Sequence, residues 1–278
     1  MSEMRAALVG VDGSGKTTAV HRVRERKGVT TLHTIPTGTD PRTPFPALSP
    51  ALAEASAAAD ALGGIQLKVA VLYLQLSLYG PAESRAATPS GILLADRHPL
   101  IDPLVYLPLF AHIERDDDGS AQVSAWWRKQ RPEAARLVRD WLRTCTGDDD
   151  PWSLGTEMLR LGTREPQEIL DRLTERLGVT APDAVLWLDL PVAQALHRTR
   201  ERPRHGEMHE TTAFLSAARL HYAEVLEWLS ETRPQLTVRR IDCADRSVDE
   251  VTEEVWSALE TFTGPVGRGE GLPLIHNS

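Results

Sequence analysis

Gly10-Val11-Asp12-Gly13-Ser14-Gly15-Lys16-Thr17 is the stretch whose reading decides the fold of this chain. Residues 6–11 form a short apolar run, read as a buried strand, and residues 16–26 mix apolar and polar side chains at helical spacing. The stretch therefore fits G-x-x-x-x-G-K-[ST] in the strand–loop–helix setting that gives the pattern its meaning. Its glycines let successive backbone N–H groups turn inward around phosphate oxygens, and the following helix adds its positive end to the same spot. Lys16 is placed to bridge the β- and γ-phosphates of a nucleotide and Thr17 to offer its hydroxyl to Mg²⁺. The chain has few lysines (Lys16, Lys27, Lys68 and Lys129), which disfavours a chance match. ATP and Mg²⁺ are the expected cofactors, with Gly10, Asp12, Gly13, Ser14, Gly15, Lys16, Thr17 and Thr18 as the nucleotide-binding residues.

Outward from this loop, residues 30–35, 92–96, 184–189 and 238–241 read as further strands. Helical patterns cover 51–61, 65–79, 166–177, 211–232 and 248–261. Residues 100–151 are helical but broken by two acidic runs, and an Arg-rich helix and turn spans 191–210. Apolar strands separated by helices predict an α/β fold, a five-stranded parallel sheet with helices on both faces. In such sheets ligands bind beyond the carboxyl ends of the strands, which puts Gly10 onward, Pro36, Asp96 and Asp189 on one rim. The expected organisation is a single domain over 1–263, with a helical insertion at about 100–180, a lid at about 198–210 and a flexible tail over 264–278.

At 278 residues, 41% hydrophobic and 25% charged, the chain suits one large α/β domain with ample material for a core. A net charge of −8 argues against nucleic acid or a membrane surface as partner, since both require a basic face. The runs Asp116-Asp117-Asp118 and Asp148-Asp149-Asp150 read either as solvated loops or as a negative rim for a cationic substrate. Cys145 and Cys243 form no CxxC pair, the N-terminus lacks a signal-peptide pattern, and no apolar run nears the roughly 18 residues of a membrane span. A reduced, cytoplasmic chain is expected.

Two further clusters carry chemistry. Asp96-Arg97-His98-Pro99 ends the third strand, where Asp96 can hold Mg²⁺ through water or take a proton, and Arg97 can grip a phosphate. Arg198, Arg200, Arg202 and Arg204, followed by Gly206-Glu207, suit a lid that closes over a triphosphate. A GTPase switch needs an N-K-x-D reader, and the sole asparagine here is Asn277 in the tail. The expectation is an ATP-dependent kinase acting on a small-molecule acceptor.

These patches resemble the P-loop deoxynucleoside and thymidylate kinases. Gly10 to Thr18 is similar to the P-loop of thymidylate kinases, including the acid at Asp12, while Asp96-Arg97-His98-Pro99 and the Arg198 to Glu207 segment resemble the herpesviral thymidine kinases. The resemblance implies a nucleoside or nucleoside monophosphate as acceptor. It implies Lys16, Asp12, Asp96, Arg97, Arg202 and Arg204 as catalytic residues, with Arg198 also on the nucleotide, and Thr17 and Asp96 placing the metal. It gives Glu207 a sugar-side hydroxyl and Gln66 a base-pairing role beside Arg97 in the acceptor site. Relatives of this fold pair through helices, which makes 72–78 and 104–110 candidate homodimer surfaces, or else core. One departure stands out. Deoxynucleoside kinases carry a Glu-Pro pair after the second strand as proton acceptor, and thymidylate kinases an acidic or basic residue before that proline, whereas here the place reads Thr34-Ile35-Pro36-Thr37-Gly38. The lost acid leaves Asp96 or Asp12 as base, and it keeps open a same-fold kinase for a cationic aminoglycoside.

Overall fold

The computed structural model describes residues 3–35, 44–86, 91–113, 119–200 and 211–263. In chain order the elements are β1 (Met4–Val9), α1 (Lys16–Val23), β2 (Val29–His33), α2 (Leu48–Leu62), α3 (Ile65–Leu76), α4 (Tyr79–Ala86), β3 (Ile92–Asp96) and α5 (Asp102–Ala111). They continue with α6 (Gly119–Lys129), α7 (Pro132–Thr146), α8 (Pro151–Gly162), α9 (Pro166–Leu177), β4 (Ala184–Asp189), α10 (Val192–Arg200), α11 (Thr212–Thr232), β5 (Thr237–Asp242) and α12 (Val248–Thr263).

The strands form one parallel sheet in the order β2-β3-β1-β4-β5. Every residue of β3 and β4 is buried, which matches their unbroken apolar runs, whereas the edge strands β2 and β5 are half-exposed. The register sets Leu8 beside Asp96 and His33 beside Asp96, so the ends of β1, β2 and β3 meet at one point of the rim. Helix α1 packs on α12, and α3, α5, α8 and α11 pack on one another as a second group. Among the described residues, no helix is long and apolar enough to cross a membrane.

One local expectation is corrected. The helix read over 65–79 stops at Leu76 and restarts as α4 at Tyr79. Pro81 explains the break: it lacks an N–H and is tolerated only in a first turn. Helix α8 falls within the helical insertion expected at about 100–180, although Gly155 and Gly162 weaken its own pattern and leave its bounds unmarked in the sequence. Packing decides them instead. A Cβ on Gly155 would lie 2.0 Å from the carbonyl oxygen of Gln66, so glycine is what lets α8 press on the start of α3. Around α8, Pro151 occupies the first turn and the Asp150 carboxylate accepts the Trp152 N–H at 3.0 Å.

Residues 72–78 and 104–110 are largely spent inside the chain: Leu74, Leu76, Leu78, Leu104, Leu107 and Phe110 are all buried. Core packing accounts for most of these apolar side chains, while Leu72 and Leu109 are only partly buried.

Candidate functional site

The phosphate-loop segment follows β1 as its sequence requires. Gly13 has φ +87°, and a Cβ there would lie 2.6 Å from the Ala195 carbonyl oxygen, so α10 rests directly on the loop. Lys16 opens α1 with its side chain folded back, Nζ donating to the carbonyls of Gly10 at 2.7 Å and Val11 at 2.8 Å. Burial, with Arg97 nearby, pulls its pKa down to about 8, against the pull of Asp12 and Asp96. Ser14 is buried, while Thr17 and Thr18 face outward from the first turn.

Across the rim, Asp96 is buried and its two oxygens differ. Oδ2 accepts the Thr17 hydroxyl at 2.7 Å and stands 3.2 Å from His33 Nδ1, while Oδ1 is buried without a partner. Burial works against its charge, but the His33 hydrogen bond, Lys16, Arg97 and the Thr17 hydroxyl outweigh it, and the carboxyl stays below its ordinary range. Asp96 is therefore an anion with one oxygen left over.

Arg97 adopts φ +70°, a left-handed conformation that costs a non-glycine residue about 1 kcal/mol or more. Its N–H donates to Leu8 O at 3.0 Å, and its carbonyl accepts the Thr34 hydroxyl at 2.8 Å. This turn throws the guanidinium between two acids, Nη2 to Asp12 Oδ1 and Nη1 to Asp102 Oδ1 at 3.3 Å. Burial opposes the charge, yet Asp12 and Asp102 hold the guanidinium above its ordinary pKa. Asp102 also accepts the Tyr222 hydroxyl at 2.7 Å and the His98 N–H at 2.8 Å. Beside this network stand Tyr106, Phe110 and Phe214, with ring centroids 5.5–6.1 Å apart.

His98 is built into the turn. Its Nδ1 accepts the Leu100 N–H at 3.2 Å, so the proton sits on Nε2, which is buried without a partner. Burial, then Arg5, pushes its pKa down to about 3, and the ring stays neutral.

The structure thus brings Lys16, Thr17, Asp12, Asp96 and Arg97 together. Gln66 is buried at the start of α3 with Oε1 unpartnered. Arg198 lies on α10, close enough to act on Cys243 after β5. Pro36, Arg202, Arg204, Glu207, the run Asp116–Asp118 and the tail over 264–278 lie outside the described residues. Asp189 is on the expected rim, but Arg219 and Arg240 occupy it: Arg219 Nε reaches Oδ1 at 2.5 Å and Arg240 Nε reaches Oδ2 at 2.8 Å. The run Asp148–Asp150 is spent locally, with Asp149 paired to Arg143 at 2.6 Å and Asp150 capping α8. Sequence reading missed Asp102, Tyr106 and Tyr222, though Asp102 and Tyr106 share a helical spacing of four just after the Asp-Arg-His turn. It also passed over His33, whose signal was its place at a strand end.

Among the described residues, no group of three or more His, Cys, Asp or Glu stands together as a metal site. Mg²⁺ does not depend on such a cluster, being held by one or two protein groups together with substrate phosphates. The unpartnered Asp96 Oδ1 and the Thr17 hydroxyl fit such an ion, and the loop from Gly10 to Lys16 fits a triphosphate.

No protein-family model matches this sequence, and no curated protein matches it either. Solved structures do match. Thymidylate kinase from Candida albicans is 15% identical with a TM-score of 0.50, over 94% of this chain and 92% of that one. The fold is that of the P-loop deoxynucleoside and thymidylate kinases. Deoxyadenosine kinase from M. mycoides with bound dCTP is similar at 13% identity and a TM-score of 0.50, over 93% of this chain and 100% of that one. The same enzyme with bound dATP gives 14% and 0.50, over 92% and 100%. Likeness at such identity establishes architecture, and the chemistry has to be argued from the site.

Proposed function

We propose that the protein is an ATP-dependent kinase that transfers the γ-phosphoryl group to a nucleoside or nucleoside monophosphate. The observation that carries this reading is the meeting of Lys16, Thr17, Asp96 and Arg97 at one rim, with Asp96 Oδ1 left unpartnered. Phosphate oxygens take the place of the Gly10 and Val11 carbonyls on Lys16, and the loop N–H groups hold the β-phosphate. Thr17 and Asp96 are the residues that would hold Mg²⁺, and the ion would supply charge neutralisation for the transferring phosphate. Arg97 exchanges Asp12 for the acceptor and steadies the charge of the transferring group, while Asp102 keeps hold of its other nitrogen. By the resemblance to the nucleoside kinases, Arg198, Arg202 and Arg204 are assigned to the phosphates and Glu207 to a sugar hydroxyl, although Arg202, Arg204 and Glu207 lie outside the described residues.

Asp12 is paired with Arg97 until that exchange and Asp96 faces the metal, so both acids stay open as base. A loose transition state asks little of a base, so the missing Glu-Pro acid does not exclude transfer. Tyr106, Phe110 and Phe214 give an apolar aromatic wall beside Arg97 for a flat heterocycle, with Gln66 to read its edge. Because Asp149 and Asp150 are taken up locally, the aminoglycoside reading loses one of its supports.

The test is ADP formation from ATP·Mg²⁺, screened against nucleosides, nucleoside monophosphates and aminosugars. Stimulation by a nucleoside or its monophosphate is expected. Stimulation by aminosugars alone would overturn the acceptor assignment, and acceptor-independent release of inorganic phosphate would overturn the kinase.

A further inference from the structure

Resting on that reading, the end of β2 acquires a role of its own. The deoxynucleoside kinases this sequence resembles keep an acid there, and this chain has His33-Thr34-Ile35-Pro36. His33 and Thr34 both turn toward the Asp96-Arg97 pair. His33 is almost fully enclosed, its ring 5.2 Å from that of His21 on α1, and its Nδ1 lies 3.2 Å from Asp96 Oδ2. Against an ionised carboxylate that nitrogen donates. Thr34 is wholly buried. Its N–H donates to Asp96 O at 3.2 Å and its hydroxyl to Arg97 O at 2.8 Å, bracketing the peptide group that leads into the left-handed turn.

We propose that His33 and Thr34 are positioning residues: together they brace Asp96 so that Oδ2 is tied back and Oδ1 is presented to the nucleotide-bound metal. The Thr17 hydroxyl shares Oδ2 with His33. When Thr17 turns to the metal, His33 is the side chain that still fixes the carboxylate. A carboxylate with neither donor rotates freely and loses the orientation that makes one oxygen a good ligand. The strand end that gives related enzymes an acid would here orient another acid instead.

The brace can be tested without knowing the acceptor. Calorimetric titration with AMP-PNP, in Mg²⁺ and in EDTA, measures how much the metal tightens nucleotide binding. H33A should lose about 10-fold of that gain while its affinity in EDTA stays put. H33N, whose amide nitrogen falls where Nδ1 stood, should restore most of the gain, and H33Q, which mimics Nε2, should not. T34V should lose a few-fold and T34S recover it. Thermal midpoints of all variants separate a misfolded protein from a misplaced Asp96. A wild-type protein whose nucleotide binding is indifferent to Mg²⁺ would overturn the kinase reading and the brace with it. A normal Mg²⁺ gain retained in both H33A and T34V would overturn the brace alone, as would equal losses in H33N and H33A.

Discussion

Asp96 and Asp189 look alike in sequence and are used differently in space. Each closes a fully buried parallel strand, β3 or β4, and each lies on the rim where ligands of such sheets bind. Asp189 is saturated: Arg219 from α11 and Arg240 from β5 cover both its oxygens. Asp96 has donors on Oδ2 alone. A buried carboxylate with donors on both oxygens joins elements together, whereas one that keeps a buried oxygen unpartnered still has room for a ligand. Position at a strand end does not separate the two cases. Partner accounting does.

This contrast can be broken most directly at the phosphate loop. Lys16→Ala should lower turnover on the order of 100- to 1,000-fold with the fold intact, because a donor to the transferring phosphate is lost. Full turnover would detach the whole rim from catalysis. Asp96→Asn should cost about 10- to 100-fold in turnover or metal dependence and leave the thermal midpoint nearly unchanged. Asp189→Asn should do the reverse. It should leave kinetics close to normal but remove about 1–2 kcal/mol of stability, a modest figure because both arginines remain well hydrated. Lost turnover without lost stability in that variant would place Asp189 in the site.

Acid should distinguish the two strand ends through His98, which follows Asp96 and Arg97. Its native pKa is held at about 3, against an ordinary value of 6.5, by burial and then by Arg5. Below pH 6.5 the unfolded chain takes up a proton that the folded chain refuses, so stability falls as pH falls toward 3. The loss attributable to His98 should be about 1 kcal/mol by pH 5.5, read as the difference in pH slope between the wild type and His98→Asn. Asparagine keeps an acceptor for the Leu100 N–H and cannot titrate; an unchanged slope would show that His98 opens to water. The smallest effect is expected at Arg240→Ala, about 0.5 kcal/mol, since this side chain is 59% exposed and Arg219 still holds Asp189.

The local signals were legible. The phosphate loop between strand and helix, β3 and β4 with their terminal acids, and the amphipathic α9 all follow from neighbours a few residues apart. What escaped depends on distance along the chain. Helix α8 lies in the expected helical insertion, but its two glycines blur its bounds, and only the fold shows α3 pressed on Gly155. The break after Leu76 follows from Pro81, whose missing N–H is plain in the sequence but whose consequence depends on where the helix must restart. Asp102 gains its meaning from Tyr222, 120 residues further on.

By itself, then, the sequence determined the strand–loop–helix phosphate cradle and the parallel α/β architecture, because glycine permissiveness and apolar periodicity are properties of short segments. Only the tertiary structure decided which acid is free and which is spent, that Arg97 sits clamped between Asp12 and Asp102, and that His33 and Thr34 reach the end of β3. The physical reason is that a carboxylate's role is set by which donors reach its oxygens. Those donors come from strands and helices that only folding brings side by side.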